Sequence, residues 1–330
     1  MQGDLRHFED FIPGTSEAYG PITVTEAGML AFARDFDPQP MHLDGASEQA
    51  VRVGGLIASG WYTAALNMRM MIDHFILKSA GMGSPGVSSL KWSAPVRAGD
   101  TLSGRMTILD RRASTTKPDR GFVNFRFELD NQDGVRVLEQ INLIMIGLSE
   151  PGSIAPEPVP NLTRPPVEDF VPTTNGDPFG FVEEIEPGAL RRFGAHHFSA
   201  DEIIRFARSF DAQPFHLSEA AGKATHFGGL AASGWHTAAG WMRTVIDFWQ
   251  AHEARGPLPR RGPGFGFTDL VWIKPVLAGD TLTYYARVLD ARRSASKPGW
   301  GIVTQRNYAL NQHGQPVFAF TGAVLWEART

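Results

Sequence analysis

The sequence contains no cysteine, and this absence excludes several kinds of chemistry. Without a thiol anywhere in its 330 residues, the chain has no disulfide, no thiolate nucleophile and no cysteine metal ligand. It also lacks a run of about 18 apolar residues, the length needed to span a bilayer. The opening MQGDLRHFEDF has no apolar core segment either. We therefore expect no signal peptide, no membrane partner and a cytoplasmic protein.

Clustered positive charge is scarce as well. Lys and Arg total 31 against 35 Asp and Glu, the net charge is −4, and no long basic run occurs. Nucleic acid is therefore not an expected partner. The hydrophobic fraction of 42% is ordinary for a globular protein, and 330 residues are too many for one ordinary domain.

The chain carries an internal repeat that covers both halves. GGLIASGWYTAAL at 54–66 aligns with GGLAASGWHTAAG at 228–240, which lies 174 positions later. The second copy then has six extra residues near Arg255–Gly264, and beyond them the offset is 180. Chance does not produce such agreement, and the period is too long for a solenoid. We predict two domains, at 1–150 and 179–330, joined by a Pro-rich linker at 151–178.

Both copies show the same order of predicted elements. A short amphipathic helix follows Thr25 and Ser199, and SADE at the second start predicts a capping box between Ser199 and Glu202. A longer helix, apolar on nearly all sides, begins near Ser59 and Ser233. The remainder alternates as strands with hairpin turns. One buried helix followed by an antiparallel sheet in each copy predicts an α+β fold.

Two short polar clusters stand out in apolar surroundings. FDPQPMHL sets Asp37 five residues before His42, and FDAQPFHL sets Asp211 five residues before His216. Prolines inside each cluster prevent a continuous helix, so a rigid turn can bring the Asp and His side chains together. A carboxylate and an imidazole that hold one water can act as acid and base. The alternatives are a plain turn stabilised by Asp, or metal binding by His.

The order of the motifs resembles that of the MaoC-like acyl-CoA dehydratase family, which includes R-specific enoyl-CoA hydratases with a hotdog fold. In both halves D-x-Q-P-x-H is followed by G-G-L-x-A-S-G-W and then by P-V-x-A-G-D-T-L. Gln39 and Gln213 stand where the family usually has Asn. The resemblance implies two tandem hotdog domains, each a long buried helix wrapped by a curved antiparallel sheet. It also implies that the two domains pair within the chain as a double hotdog.

The resemblance assigns roles to particular residues. It carries the catalytic function over to Asp37 with His42 and to Asp211 with His216. The reaction also needs an oxyanion site for the thioester oxygen, and a helix N-terminus supplies unpaired N–H groups for one. We assign this site to the openings of the two long helices, at Ser59, Gly60, Ser233 and Gly234.

Two basic segments, RRASTTKP and ARRSASKP, recur at equal positions on a predicted hairpin. They place Arg112, Lys117, Arg292 and Lys297 where cations could bind the phosphates of CoA. An ordinary solvated hairpin is the alternative interpretation. Each polar cluster has one His and one Asp with no further His at ligand spacing, so we expect no metal site there.

The resemblance thus implies an acyl-CoA hydratase or dehydratase that adds water to a 2-enoyl-CoA with R stereochemistry. Acyl-CoA is then the substrate, and no cofactor is expected. Two other functions stay open at this point: a hotdog thioesterase that releases free CoA, and a noncatalytic acyl-CoA-binding protein. A homodimer of double hotdogs is a further expectation, because sheet edges and faces need covering.

Overall fold

The computed structural model describes residues 5–155 and 170–329. In this part of the chain the first half contributes five strands, and they are β1 (Ser16–Thr23), β2 (Gly86–Trp92), β3 (Thr101–Ala113), β4 (Arg120–Asp130) and β5 (Arg136–Gly147). The second half contributes five more, and they are β6 (Leu190–His197), β7 (Arg261–Trp272), β8 (Thr281–Arg293), β9 (Trp300–Leu310) and β10 (Pro316–Glu327). All ten belong to one antiparallel sheet in the order β1-β3-β4-β5-β2-β7-β10-β9-β8-β6.

The sheet is continuous because β2 of the first half pairs with β7 of the second. Two glycines at equivalent positions of the repeat lie on this seam, Gly86 and Gly266. A Cβ on Gly86 would lie 2.2 Å from the carbonyl oxygen of Leu270, and one on Gly266 would lie 2.1 Å from that of Leu90. Only glycine therefore allows the two backbones to approach this closely. The two halves therefore pair through equivalent strands, β2 and β7.

Two long helices, one from each half, pack in the interior. The described helices of the first half are α1 (Glu26–Phe36), α2 (Pro40–Leu43), α3 (Glu48–Arg52) and α4 (Gly60–His74). Those of the second half are α5 (Ala200–Phe210), α6 (Pro214–Leu217), α7 (Glu219–Lys223) and α8 (Gly234–Glu253). The predicted starts of α4 and α8 are confirmed, since Ser59 and Ser233 accept hydrogen bonds from the N–H groups of Trp61 and Trp235.

The caps of the two amphipathic helices differ in one respect from the sequence prediction. Thr25 caps α1 by accepting from the N–H of Gly28, and Ser199 caps α5 by accepting from the N–H of Glu202. The Glu202 carboxylate does not complete the predicted capping box. Its oxygen instead accepts a hydrogen bond from His196 and approaches His236. Contacts with these two distant histidines replace the local contact with the N–H of Ser199 that a capping box requires.

Aromatic side chains join the two halves into one core. Trp61 of α4 stacks on Phe267 of β7, with ring centroids 5.3 Å apart and an interplanar angle of 9°. Phe36 of α1 meets Phe206 of α5 edge to face at 5.6 Å. Burial of each such side chain contributes about 1.5–3 kcal/mol. The described architecture is the α+β fold, with paired halves, that the sequence predicted.

The predicted linker lies only partly within the described part of the chain. Residues 156–169 fall outside it, so the domain bounds stay a prediction. Residues 170–178 form no helix or strand and lie on the second half. There the hydroxyl of Tyr308 donates to the carbonyl of Val171, and the N–H of Arg192 donates to that of Asn175. Across 5–155 and 170–329, every helix is too short or too polar to cross a bilayer.

Candidate active site

The first Asp–His pair is held by a break between two helices. Asp37 is the C-cap residue of α1, Gln39 is the N-cap of α2, and Pro40 opens α2 at a position that suits proline. His42 follows one turn later, and both side chains of the pair are buried, with exposed fractions of 2% and 4%. Nε2 of His42 lies 3.4 Å from Oδ2 of Asp37. The sequence prediction that prolines bring the two side chains together is confirmed.

The tautomer of His42 follows from its second partner. Its Nδ1 lies 2.9 Å from the carbonyl oxygen of Ile57, which can only accept a hydrogen bond. Nδ1 therefore carries a proton, and Nε2 is the ring atom that faces Asp37. A separation of 3.4 Å is too long for a strong direct hydrogen bond. One water can therefore contact both atoms.

Two further side chains orient the Asp37 carboxylate. The Ser59 hydroxyl donates to Oδ2 at 2.6 Å, and Nε2 of Gln39 donates to Oδ1 at 2.8 Å. The Ser59 Oγ also accepts from the N–H of Trp61, so its hydroxyl is fully engaged. Both donors hold the carboxylate in one orientation. The role of Gln39 was missed in the sequence, although the same glutamine between Asp and Pro in both copies could have indicated it.

The second pair repeats this geometry closely. Nε2 of His216 lies 3.4 Å from Oδ2 of Asp211, and its Nδ1 lies 2.7 Å from the carbonyl oxygen of Ala231. Ser233 donates to Oδ2 at 2.7 Å and Gln213 donates to Oδ1 at 2.9 Å. Burial raises the pKa of Asp211, but the charge and hydrogen bond of His216 and the hydrogen bond from Ser233 outweigh burial, so this pKa lies below its ordinary value. A buried carboxylate is thus kept charged.

The predicted oxyanion residues fall into two groups. The hydroxyls of Ser59 and Ser233 point at the Asp carboxylates, whereas Gly60 and Gly234 line the cavities that the two pairs face. A Cβ on Gly60 would lie 2.6 Å from the ring of Trp92, so packing also demands glycine there. The oxyanion role of the glycine N–H groups stays a prediction, and the serine hydroxyls orient the two Asp carboxylates.

Each pair faces a cavity between the two halves. The first cavity, of about 520 Å³, contains Asp37 and His42, and its opposite wall is built by residues of the second half, among them Trp241, Val245, Trp249, Phe267 and Phe320. The second cavity, of about 250 Å³, contains Asp211 and His216, and its opposite wall is built by residues of the first half, among them Met68, Met71, Asn142, Ile144 and Met145. Each pair therefore needs the other half to complete its cavity.

Aromatic rings account for part of the difference in volume. Phe215 and Phe227 line the second cavity with ring centroids 4.7 Å apart. At the equivalent positions the first cavity has Met41 and Val53, which are smaller or more flexible. The first cavity also borders a segment at 261–266 that is rich in glycine and adjoins the six extra residues of the second copy. The two cavities thus share an Asp–His pair but differ in shape.

The four predicted phosphate-binding cations lie away from both cavity walls. Arg112 stacks over an aromatic ring of its own hairpin, and Arg292 pairs with Asp290 at 3.3 Å. Lys117 and Lys297 are exposed in the turns. None of these four cations is among the residues that line the two cavities. Their contact with CoA phosphates stays a prediction.

Two other cations do line the cavities, and the sequence analysis missed them. Lys274 lies in the second cavity at a position where the first copy has Ala94. Arg261 lies in the first cavity, where it stacks over Trp249 at 3.9 Å and pairs with Glu253. Both cations occupy positions at which the two copies differ. A search for such differences within the repeat could have found them.

Comparison with known proteins adds a family and a fold. The family model described as MaoC like domain matches residues 10–121 and 184–306. An (R)-specific enoyl-CoA hydratase of Rhodospirillum rubrum is 30% identical over 129 residues, which are 37% of this chain and 79% of that protein. The uncharacterized protein YdeM of Bacillus subtilis is 26% identical over 118 residues, which are 36% of this chain and 82% of that protein.

Solved structures match the whole chain. A MaoC-domain protein from Chloroflexus aurantiacus superposes with a TM-score of 0.80 at 18% identity, covering 99% of this chain and 98% of the other. A double-hotdog protein from Mycobacterium tuberculosis superposes with a TM-score of 0.73 at 16% identity, covering 98% of both chains. These matches confirm the double hotdog fold.

Proposed function

The chain belongs to the MaoC-like domain family, and from this premise we propose that it catalyses the reversible addition of water to a 2-enoyl-CoA, giving a 3-hydroxyacyl-CoA. The observation that carries the proposal is the buried Asp–His pair, present twice with the same 3.4 Å separation and facing a cavity each time. The family supports hydratase or dehydratase chemistry in general. The thioester substrate and the direction of addition are our proposal.

The reaction requires a water that is both positioned and deprotonated. Oδ2 of Asp37 and Nε2 of His42 can contact one water, because each is buried and both face the first cavity. The carboxylate accepts a proton as the water oxygen bonds to C3 of the enoyl group. The pair returns one proton to C2, so that the net change is the addition of H and OH. Asp211 and His216 do the same in the second cavity.

Negative charge develops on the thioester oxygen after water has added to C3 and before C2 is protonated. We place this oxygen at the N-terminus of α4 or α8, where Gly60 and Gly234 line the cavities. The N–H groups and the positive end of the helix dipole stabilise an oxyanion there. Removing one such donor typically costs about 10²–10³ in rate. Addition of water involves no net redox change, so we propose acyl-CoA as the substrate and no cofactor for this step.

The one-sided arrangement of each pair predicts syn addition of water, and the choice of R over S is proposed from a named relative. In each copy Asp and His approach the cavity from the same turn, so water attacks one face of the double bond and the proton returns from that side. The relative from Rhodospirillum rubrum bears the name (R)-specific enoyl-CoA hydratase. We therefore propose the R product.

The test is an assay of enoyl-CoA hydration over a series of acyl lengths, with chiral analysis of the product. The variants are Asp37→Asn, Asp211→Asn and the double variant, which keep shape while removing the negative charge. We expect the double variant to lose about 10²–10⁴-fold in kcat, as is typical for a general acid–base group. Each single variant should keep the turnover of the other site.

The control is Asp35→Asn, which removes an exposed carboxylate two residues from Asp37. Its ion pair with Arg205 at 3.5 Å is on the surface and contributes little. Absence of hydration by the wild type for every enoyl-CoA would overturn the proposal. Release of free CoA at the same sites would instead show a thioesterase. Acyl-CoA binding without turnover would show a noncatalytic protein.

A further inference from the structure

A cluster of metal-ligating side chains lies in the second half, apart from both cavities. His196 of β6, Glu202 of α5 and His236 of α8 each direct one ligand atom to a common point, and these atoms lie within 4.8 Å of one another. None of the three lines either cavity. The Asp–His chemistry therefore does not account for the cluster.

The spacing of the cluster suits a small divalent cation. Oε1 of Glu202 lies 3.1 Å from Nε2 of His196 and 3.4 Å from Nε2 of His236. Zinc bonds of about 2.1 Å at tetrahedral angles put neighbouring ligand atoms about 3.4 Å apart. Two imidazoles and one carboxylate are a ligand set that zinc uses when a fourth position stays open. His196 and Glu202 are only partly buried, so this open side faces solvent.

His236 shows that the cluster is incomplete without a further partner. Its side chain is 0% exposed, and neither ring nitrogen has a hydrogen-bond partner. Nε2 is near Glu202 but is not aligned for a hydrogen bond. The ring cannot easily turn away, because it stacks on Phe206 with centroids 4.8 Å apart. A buried polar group without a partner is destabilising, and coordination of Nε2 would offset that cost.

The first half provides an internal comparison. At the positions equivalent to His196, Glu202 and His236, it has Ile22, Gly28 and Tyr62. The Tyr62 hydroxyl lies 2.4 Å from the place where a Cβ on Gly28 would be, so the tyrosine fills the space that Glu202 uses in the second half. All three positions therefore differ between the halves. The first half has residues that cannot form this ligand set, and the second half has two imidazoles and a carboxylate.

We propose that His196, Glu202 and His236 bind one divalent transition-metal ion of the Zn²⁺ class. The ion joins β6, α5 and α8 at one point. Helix α5 ends next to Asp211 and α8 begins at Gly234, so the ion fixes the two helices that position the second active site. The three residues are positioning residues for that site and do not touch its substrate.

The test uses the full-length protein without a histidine tag, treated with a chelator and then titrated with Co²⁺ and Zn²⁺. We expect one ion per chain by elemental analysis and a Co²⁺ absorption band of the four-coordinate type. His196→Ile and Glu202→Gln should each weaken binding by more than about 100-fold, since even partners outside the ligand set contribute about 10–100-fold. His197→Ala is the matched control, because His197 is the exposed neighbour that contacts Thr281 instead.

The outcomes separate a metal site from a hydrogen-bonded cluster. Circular dichroism identifies any variant that fails to fold, and His196→Ile is the safer one because it restores the residue of the first half. Absence of stoichiometric Co²⁺ or Zn²⁺ binding by the wild type would overturn the proposal. Equal binding by the wild type and both folded ligand variants would overturn it as well. Neither result depends on the hydratase assay.

Discussion

The two halves repeat one Asp–His pair and surround it with different walls. The Asp–His separation is 3.4 Å in both, and the Ser and Gln donors agree within about 0.1 Å. The cavities, however, measure about 520 and 250 Å³. The pair is held by short local turns, whereas the opposite wall of each cavity comes from the other half. The shape of either cavity can therefore change while its Asp–His pair stays constant.

The halves also differ in how their long helices begin. Trp272 in the second half donates its Nε1 to the carbonyl of Gly234 at 3.0 Å. Its counterpart Trp92 packs on Gly60 in the same way, but its Nε1 has no partner among the described residues. The Trp272–Gly234 contact therefore has a hydrogen bond that the Trp92–Gly60 contact lacks. We expect the same substitution at Gly60 and at Gly234 to have unequal effects.

The largest difference is expected when alanine replaces these glycines. A Cβ would lie 2.2 Å from the Trp272 ring at Gly234 and 2.6 Å from the Trp92 ring at Gly60. Each substitution should lower the free energy of unfolding by about 1–3 kcal/mol, with Gly234→Ala the more costly because its tryptophan is hydrogen-bonded. Guanidinium unfolding measures this. Gly45→Ala, which meets only ordinary contacts, is the control. Equal effects at Gly60 and Gly234 would contradict the comparison.

The next prediction concerns acyl length. Phe215→Met with Phe227→Val gives the second cavity the residues of the first. We measure the variant in an Asp37→Asn background, so that only the second site turns over. The ratio of kcat/KM for long against short enoyl-CoA should rise by about tenfold, since a methylene in an apolar pocket changes discrimination by about that much. An unchanged ratio would show that these two aromatic rings do not determine the preference for acyl-chain length.

The reciprocal change provides the matched control for acyl length. Val53→Phe in an Asp211→Asn background narrows only the first cavity. The same ratio should then fall at the first site. An equal fall in kcat/KM for long and short substrates would indicate a general loss of stability rather than a local change of shape.

The smallest effect is expected from the exposed lysines. His226 lines the second cavity, and its pKa is lowered by burial and, to a smaller extent, by the charge of Arg120 on the hairpin of the first half. Lys117→Ala should therefore raise KM at the second site, and Lys297→Ala should raise it at the first, by symmetry. Exposed ion pairs contribute about 0–1 kcal/mol, so the change is at most about fivefold and should vanish in high salt. A KM that is unchanged at low salt would favour the solvated-hairpin interpretation.

The fold was predictable because its signals are local and repeated. Thr25 and Ser199 cap helices, and prolines end them, within a few residues of the sequence. The Asp37–His42 contact was predictable for the same reason, since both residues belong to one turn. Ser59 was assigned to the oxyanion site, yet its hydroxyl lies 2.6 Å from the carboxylate of Asp37, which is 22 positions away. Local pattern did not reveal that partner.

The duplication, the helix starts and the two Asp–His turns follow from the sequence alone. These features depend on backbone geometry over a few residues, which caps and prolines impose directly. Two features depend on tertiary packing. One is the half that completes the wall of each cavity, and the other is the convergence of His196, Glu202 and His236. Such contacts join residues on separate elements, and the pairing of β2 with β7 and the packing of α5 on α8 bring these elements together. A linear pattern does not encode the distances that such packing creates.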